Sequence, residues 1–154
     1  MIEFLEREEA GRSVCLHTHI AVLFSGTLNN PNIVSSGKND IVMSCRSPVS
    51  DNITIHAEMN AISEYLNNNF SQESVESFRR QKFNLFITKR SKSGLLGTSN
   101  PCLNCVRRMY YFGINKVYWT EADRMIKSSR PIDLLDVSIT TSGNIKKKLK
   151  NFSN

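Results

Sequence analysis

Two short segments hold residue types that can do chemistry together. His56-Ala-Glu58 offers an imidazole and a carboxylate two positions apart, and Pro101-Cys-Leu-Asn-Cys105 offers two thiols three positions apart. Histidine nitrogen and cysteine thiolate are standard zinc ligands, at about 2.0–2.1 and about 2.3 Å. Residues three apart share one face of a helix, and side chains at a helix start lean past its N-terminal end. The positive end of the helix dipole there also favours thiolates. His56, Cys102 and Cys105 make three protein ligands. A structural zinc is normally closed by four, whereas a catalytic one keeps a position open for water. The metal brings the pKa of such a water to about 7. Glu58 then stands in the right neighbourhood to move protons.

Two other readings use the same residues. A structural zinc would need a fourth ligand, and Cys45 is the obvious one. A redox Cys-x-x-Cys pair would leave the matching His-x-Glu unexplained. Cys15 and Cys45 are expected to be reduced core or loop thiols, and His17 and His19, flanking a strand, to have packing roles.

These segments need a scaffold. His19–Ser25 reads as a strand, apolar on both faces from Ile20 to Phe24 like a covered central strand. Turn chemistry at residues 26–31 leads to a second strand, Asn32–Lys38, so the pair reads as a hairpin. Met59, Ile62 and Leu66, with Ala61 and Tyr65, give helical periodicity from about Ile55 to Asn67. Residues 71–82 are polar and suit a short surface helix. Asn84–Thr88 is a strand, followed by a long loop, Lys89–Asn100. Cys102–Phe112 is a second helix, opened by Pro101 and capped by Gly113, with Leu103, Val106 and Tyr110 as its apolar stripe. Tyr110, Tyr111 and Phe112 are expected to pack in the core. Arg107 and Arg108, and Lys89, Arg90 and Lys92, are phosphate-binding candidates. Lys116–Thr120 is a strand. Beyond it two readings stand: a strand at Arg124–Arg130, which only four residues of connection would force to be antiparallel, or a helix at Ala122–Ser129 leading to a parallel strand at Val137–Thr140. The tail Lys146–Lys150 reads as a short helix or an irregular end.

The 154 residues fit a single domain over 1–154, with a core of about 14–140 and a basic tail of 141–154. An apolar fraction of 40% is adequate for a globular core. No run approaches the ~18 apolar residues of a membrane span, so no membrane partner is expected. The acidic N-terminal segment resembles neither a secretory signal nor a transit peptide, and the expected setting is cytoplasmic, with reduced cysteines. Charge is split. Residues 1–78 carry 4 Lys/Arg against 10 Asp/Glu, and residues 79–154 carry 16 against 4. Such asymmetry suits a phosphate-bearing or nucleic-acid partner, although a solvated basic surface accounts for it equally well.

His56-Ala-Glu58 followed by Pro101-Cys-x-x-Cys105 resembles the signature of the cytidine/deoxycytidylate deaminase superfamily. The stretch His56-Ala-Glu-Met-Asn-Ala-Ile62 looks most like the deoxycytidylate branch. The resemblance spans residues 19–120. It implies an α/β fold, a three-layer α/β/α sandwich with a central five-stranded mixed sheet. It also implies Zn2+ on His56, Cys102 and Cys105, and Glu58 passing protons to the ring nitrogen and the departing amine of a cytosine. Asn39 matches the family's asparagine near the sugar. The backbone of Ala57 and the carbonyl of Asn100 match the groups that hold the base edge. The partner would be a small nucleoside or nucleotide, dCMP above all. The basic second half also admits a base within RNA or single-stranded DNA, and related enzymes often form homo-oligomers. A binding module stabilised by zinc, with Cys45 closing the site, has no use for Glu58. The 44 positions from Glu58 to Cys102 exceed those of compact members. The extra length lies in residues 67–82 and 89–100, the second of these being the expected seat of substrate choice.

Overall fold

A computed structural model of the chain describes residues 17–42, 53–69, 75–91, 95–121 and 124–136. Cys15, Cys45, Lys92, residues 137–140 and the basic tail, each of which carries an expectation from the sequence, lie outside the described residues.

A mixed sheet organises the chain. Strand β1 (His17–Gly26) pairs antiparallel with β2 (Pro31–Lys38) on one side and with β5 (Asn84–Ser91) on the other. Strand β5 pairs in parallel with β7 (Lys116–Thr120), which pairs antiparallel with β8 (Ile126–Ser129). The order is β2-β1-β5-β7-β8. A two-stranded sheet of β3 (Asp40–Val42) and β4 (Ile53–Ile55) lies apart from it. The hairpin between β1 and β2 turns at Gly26, whose φ of +86° is the left-handed region that glycine enters freely. The Asn84 side chain donates to the Gly26 carbonyl at 2.8 Å and so ties that turn to β5.

The apolar run of β1 is fully buried, as expected of a central strand. Its residues alternate. Ala21 and Leu23, with Leu85, Ile87 and Val117, face one side, where every described helix packs. Ile20, Val22, Phe24 and Phe86 face the other and are buried too. A sheet buried on both faces is what a three-layer arrangement requires.

The helices are α1 (Ala57–Asn69), α2 (Val75–Arg80), α3 (Leu103–Tyr111) and α4 (Pro131–Leu134). Ala57, Met59, Ala61, Ile62 and Tyr65 make the buried face of α1. The short surface helix expected in 71–82 is α2, and its Phe78 is driven inward against Tyr65, Phe83 and Phe112 with ring centroids 5.1–5.7 Å away.

Two expectations are corrected and one open choice is resolved. The strand expected to stop at Thr88 continues to Ser91, and the expected loop holds β6 (Leu96–Gly97), which folds back onto Lys89 and Arg90. Serine and glycine suggested a loop, but the ladder pairs Gly97 with Lys89 and Leu96 with Arg90. In α3 the buried positions are Cys105, Val106 and Met109, with Tyr110 exposed. Burying Cys105 fixes the rotation of the helix and turns Tyr110 outward. Tyr110 and Tyr111 therefore lie outside the core, and of the three aromatic residues only Phe112 packs against it. The open choice after Thr120 resolves as an antiparallel β8, entered by a tight turn in which Arg124 takes a φ of +64° and Glu121 N–H donates to Met125 O at 2.9 Å.

Candidate functional site

Two helix starts converge. His56 immediately precedes α1, and its carbonyl accepts the N–H groups of Met59 and Asn60 at 3.0 and 3.1 Å. Cys102 is the N-cap of α3, with extended φ and ψ of −76° and 159°, and its carbonyl accepts Val106 N–H at 2.9 Å. Its side chain makes no capping bond, which leaves the sulfur to face His56. Both sets of ligands thus sit at the positive ends of helix dipoles.

What seats α1 is a close approach to β2. At Gly37 a Cβ would lie 2.3 Å from Ala61 N and 2.5 Å from Ala57 O, so only a bare backbone fits. Ser35 Oγ donates to Ala61 O at 2.7 Å, and Asn60 Nδ2 donates to Lys38 O at 2.6 Å.

What seats the start of α3 is a buried polar knot that the sequence did not announce. Ser99 N–H donates to Thr120 O at 2.9 Å, Ser99 Oγ donates to Ile87 O at 2.9 Å, and Thr120 N–H donates to Ser99 Oγ at 3.0 Å. Thr120 Oγ1 donates to Gly97 O at 3.0 Å. One serine thereby fastens the segment leading to Pro101 and Cys102 onto β5 and β7. A serine in a polar run gives no sequence signal of this.

His56 Nδ1 lies 3.6 Å from Cys102 Sγ and 3.3 Å from Cys105 Sγ. A tetrahedral zinc with ordinary bond lengths spaces its nitrogen and sulfur ligands about 3.6 Å apart. The three donor atoms all lie within 4.8 Å of one another. Spacing and donor type therefore both fit zinc. Left to themselves the sulfurs share one negative charge. A hydrogen bond from Cys105, with a second from His56, pulls the Cys102 thiol down to about 4. The same bond, with burial, pushes Cys105 up. The bond to Cys102 also raises His56. A divalent cation relieves this conflict by accepting both thiolates.

Glu58, in the first turn of α1, is only 5% exposed. Burial pushes its carboxyl above the usual carboxylate range, against a hydrogen bond from its own N–H and the attraction of His56. A carboxyl raised by burial beside a metal-ligand cluster has the character of a general acid and base. No residue with such a carboxyl is required by a purely structural zinc.

Asn39 follows β2. Its Oδ1 accepts His19 N–H at 2.7 Å, and its own N–H donates to His19 O at 3.1 Å, which clamps the turn against β1. Ala57 is buried at the start of α1, and Asn100 is exposed immediately before the buried Pro101. Lys89 and Arg90 are strand residues paired with β6, and Arg107 and Arg108 are exposed on α3.

The family model for the cytidine and deoxycytidylate deaminase zinc-binding region matches residues 7–121, which contain all of these side chains. No curated protein matches the chain.

Proposed function

The chain belongs to the cytidine and deoxycytidylate deaminase family, and from that premise we propose that it converts the cytosine of a dCMP- or cytidine-type nucleotide to uracil with release of ammonia. The observation that carries this reading is the buried carboxyl of Glu58 beside the donors His56, Cys102 and Cys105.

When bound, zinc supplies Lewis-acid activation of a water near neutral pH. The protein's own part is proton traffic and orientation. Glu58 takes one proton from the attacking water and gives it to the ring nitrogen, then takes the second from the hydroxyl formed at C4 and delivers it to the departing amine. The water oxygen ends as the carbonyl at C4, and the C4–N bond is the one that breaks. A raised carboxyl pKa suits a group that must be acid and base in one turnover.

Asn39 would meet the sugar through its amide NH2, since its Oδ1 is engaged with His19. The backbone N–H of Ala57, at the first position of α1, and the carbonyl of Asn100 would hold the base edge. A cytoplasmic setting keeps the ligand thiols reduced. Among the described residues no helix is long and apolar enough to cross a membrane.

The test is ammonia release by zinc-loaded protein from cytidine, deoxycytidine, CMP, dCMP, adenosine, guanine and a cytosine-containing strand. Turnover of a cytosine mononucleotide is expected. Silence on all of them with zinc fully bound would overturn the reading, and turnover of the strand alone would replace it with nucleic-acid editing.

A further inference from the structure

The outward face of α3 is unlike an ordinary solvated helix face. Asn104, Arg107, Arg108 and Tyr111 follow one another at helical spacing and are all exposed, with Tyr110 flanking them. The stripe is about 10 Å long. Tyr110 and Tyr111 are 53% and 56% exposed. No acidic residue occurs in α3.

Helix α2 extends the patch. Arg79 Nε donates to Tyr111 O at 2.7 Å, and its guanidinium lies 5.3 Å from the centre of the Tyr111 ring. The Phe112 ring meets the Tyr111 ring edge-on at 5.3 Å. The Tyr111 ring is therefore held in place while more than half of its residue's surface faces solvent. Among the described residues neither Arg107 nor Arg108 has an ion pair, and Asp133 of the neighbouring α4 is already engaged by Arg130 at 2.9 Å.

We propose that this face of α3, with Arg79, docks single-stranded nucleic acid, the arginines meeting phosphates and Tyr110 and Tyr111 stacking on bases. Guanidinium groups recognise phosphate, and exposed aromatic rings are stacking platforms for unpaired bases of any sequence. A second copy of the chain is a poorer occupant. A two-fold contact places a patch against itself, which here sets arginines against arginines with no acid from α3 to answer them. A duplex is poorer too, since its bases are not free to stack on a side chain.

The test is fluorescence anisotropy with a labelled thymidine homopolymer titrated onto the zinc-loaded full chain. That strand contains no cytosine, so its binding is independent of the deamination reading. The wild type is expected to bind. Tyr110→Ala with Tyr111→Ala removes two stacks and should weaken binding about thirtyfold or more. Arg107→Gln with Arg108→Gln should lower the slope of log affinity against log salt by about 1.4. All four side chains are exposed, so the variants keep the core intact. No binding by the wild type would overturn the proposal. So would binding that both double variants leave unchanged, which would place it elsewhere on the basic second half. Equal binding of a duplex with no effect of the tyrosines would reduce the face to a general polyanion surface. Loss of a dimer in the tyrosine variant with strand binding intact would make it a contact between copies.

Discussion

Gly37→Ala probes the contact that positions the site. Gly37 lies in β2, and its φ is not in the left-handed region, so the constraint is steric rather than conformational. The added carbon would sit 2.3 Å from Ala61 N, 2.5 Å from Ala57 O and 2.8 Å from Asn60 C, all backbone atoms of α1. Ordinary contact begins near 3.4 Å, so strand and helix must part by about 1 Å. No side chain can rotate away to relieve this. Overpacking of this kind costs about 1–3 kcal/mol, and each kcal/mol lowers Tm by about 2–4 °C for a chain of this size. The helix that moves carries Glu58 and follows directly on His56, and a displacement of 1 Å costs turnover about 10²-fold. Thermal denaturation and steady-state turnover on the best substrate of the panel measure both effects. An alanine variant with unchanged Tm and unchanged turnover would refute the seating of α1 on β2.

Cys105→Ala should lose zinc, read by metal analysis after gel filtration, and should also lower Tm, because site formation and folding are linked; full zinc occupancy would show the ligand set to be wrong. Ser99→Ala should cost about 1–3 kcal/mol by leaving buried partners at Thr120 and Ile87 unsatisfied, seen as a fall in Tm, and Ser99→Thr would restore part of the bonding; an alanine variant as stable as wild type would dismiss the knot as an anchor. Glu58→Gln should be more thermostable than wild type at neutral pH when both are compared after chelation, since a nearby cation would favour the charged carboxylate. A raised carboxyl contributes stability that is intact below its ordinary value and lost as pH rises through the raised value, so the gap between the two proteins should be absent in acid and open upward. A gap of the opposite sign would show that Glu58 is stabilised as a carboxylate.

The metal-donor set was more legible than its positioning. His56, Cys102 and Cys105 carry their meaning in residue type and spacing, and the helix starts follow from Pro101 and the periodicity around Met59 and Ile62. The central place of β1 was legible because Ile20 to Phe24 is apolar without alternation. Gly37 and Ser99 were not. Each acts through a contact with a segment distant in sequence, and a lone glycine in a strand or a lone serine in a polar run fits many environments equally well. The rotation of α3 was misread because Tyr110 and Met109 are adjacent and both apolar in bulk. The burial of Cys105 decides between them, and that is a tertiary constraint. Periodicity likewise could not choose between a strand and a helix after Thr120. The left-handed Arg124 and the ladder with β7 settle it.

The most direct measurement is ammonia release from dCMP and cytidine by wild type and Glu58→Gln at matched, measured zinc content. Both proteins should hold one zinc per chain. Wild type should turn over a cytosine mononucleotide, and the variant should be slower by about 10²–10⁴-fold, the range of a lost general acid and base. Equal turnover by the two zinc-loaded proteins would contradict the account.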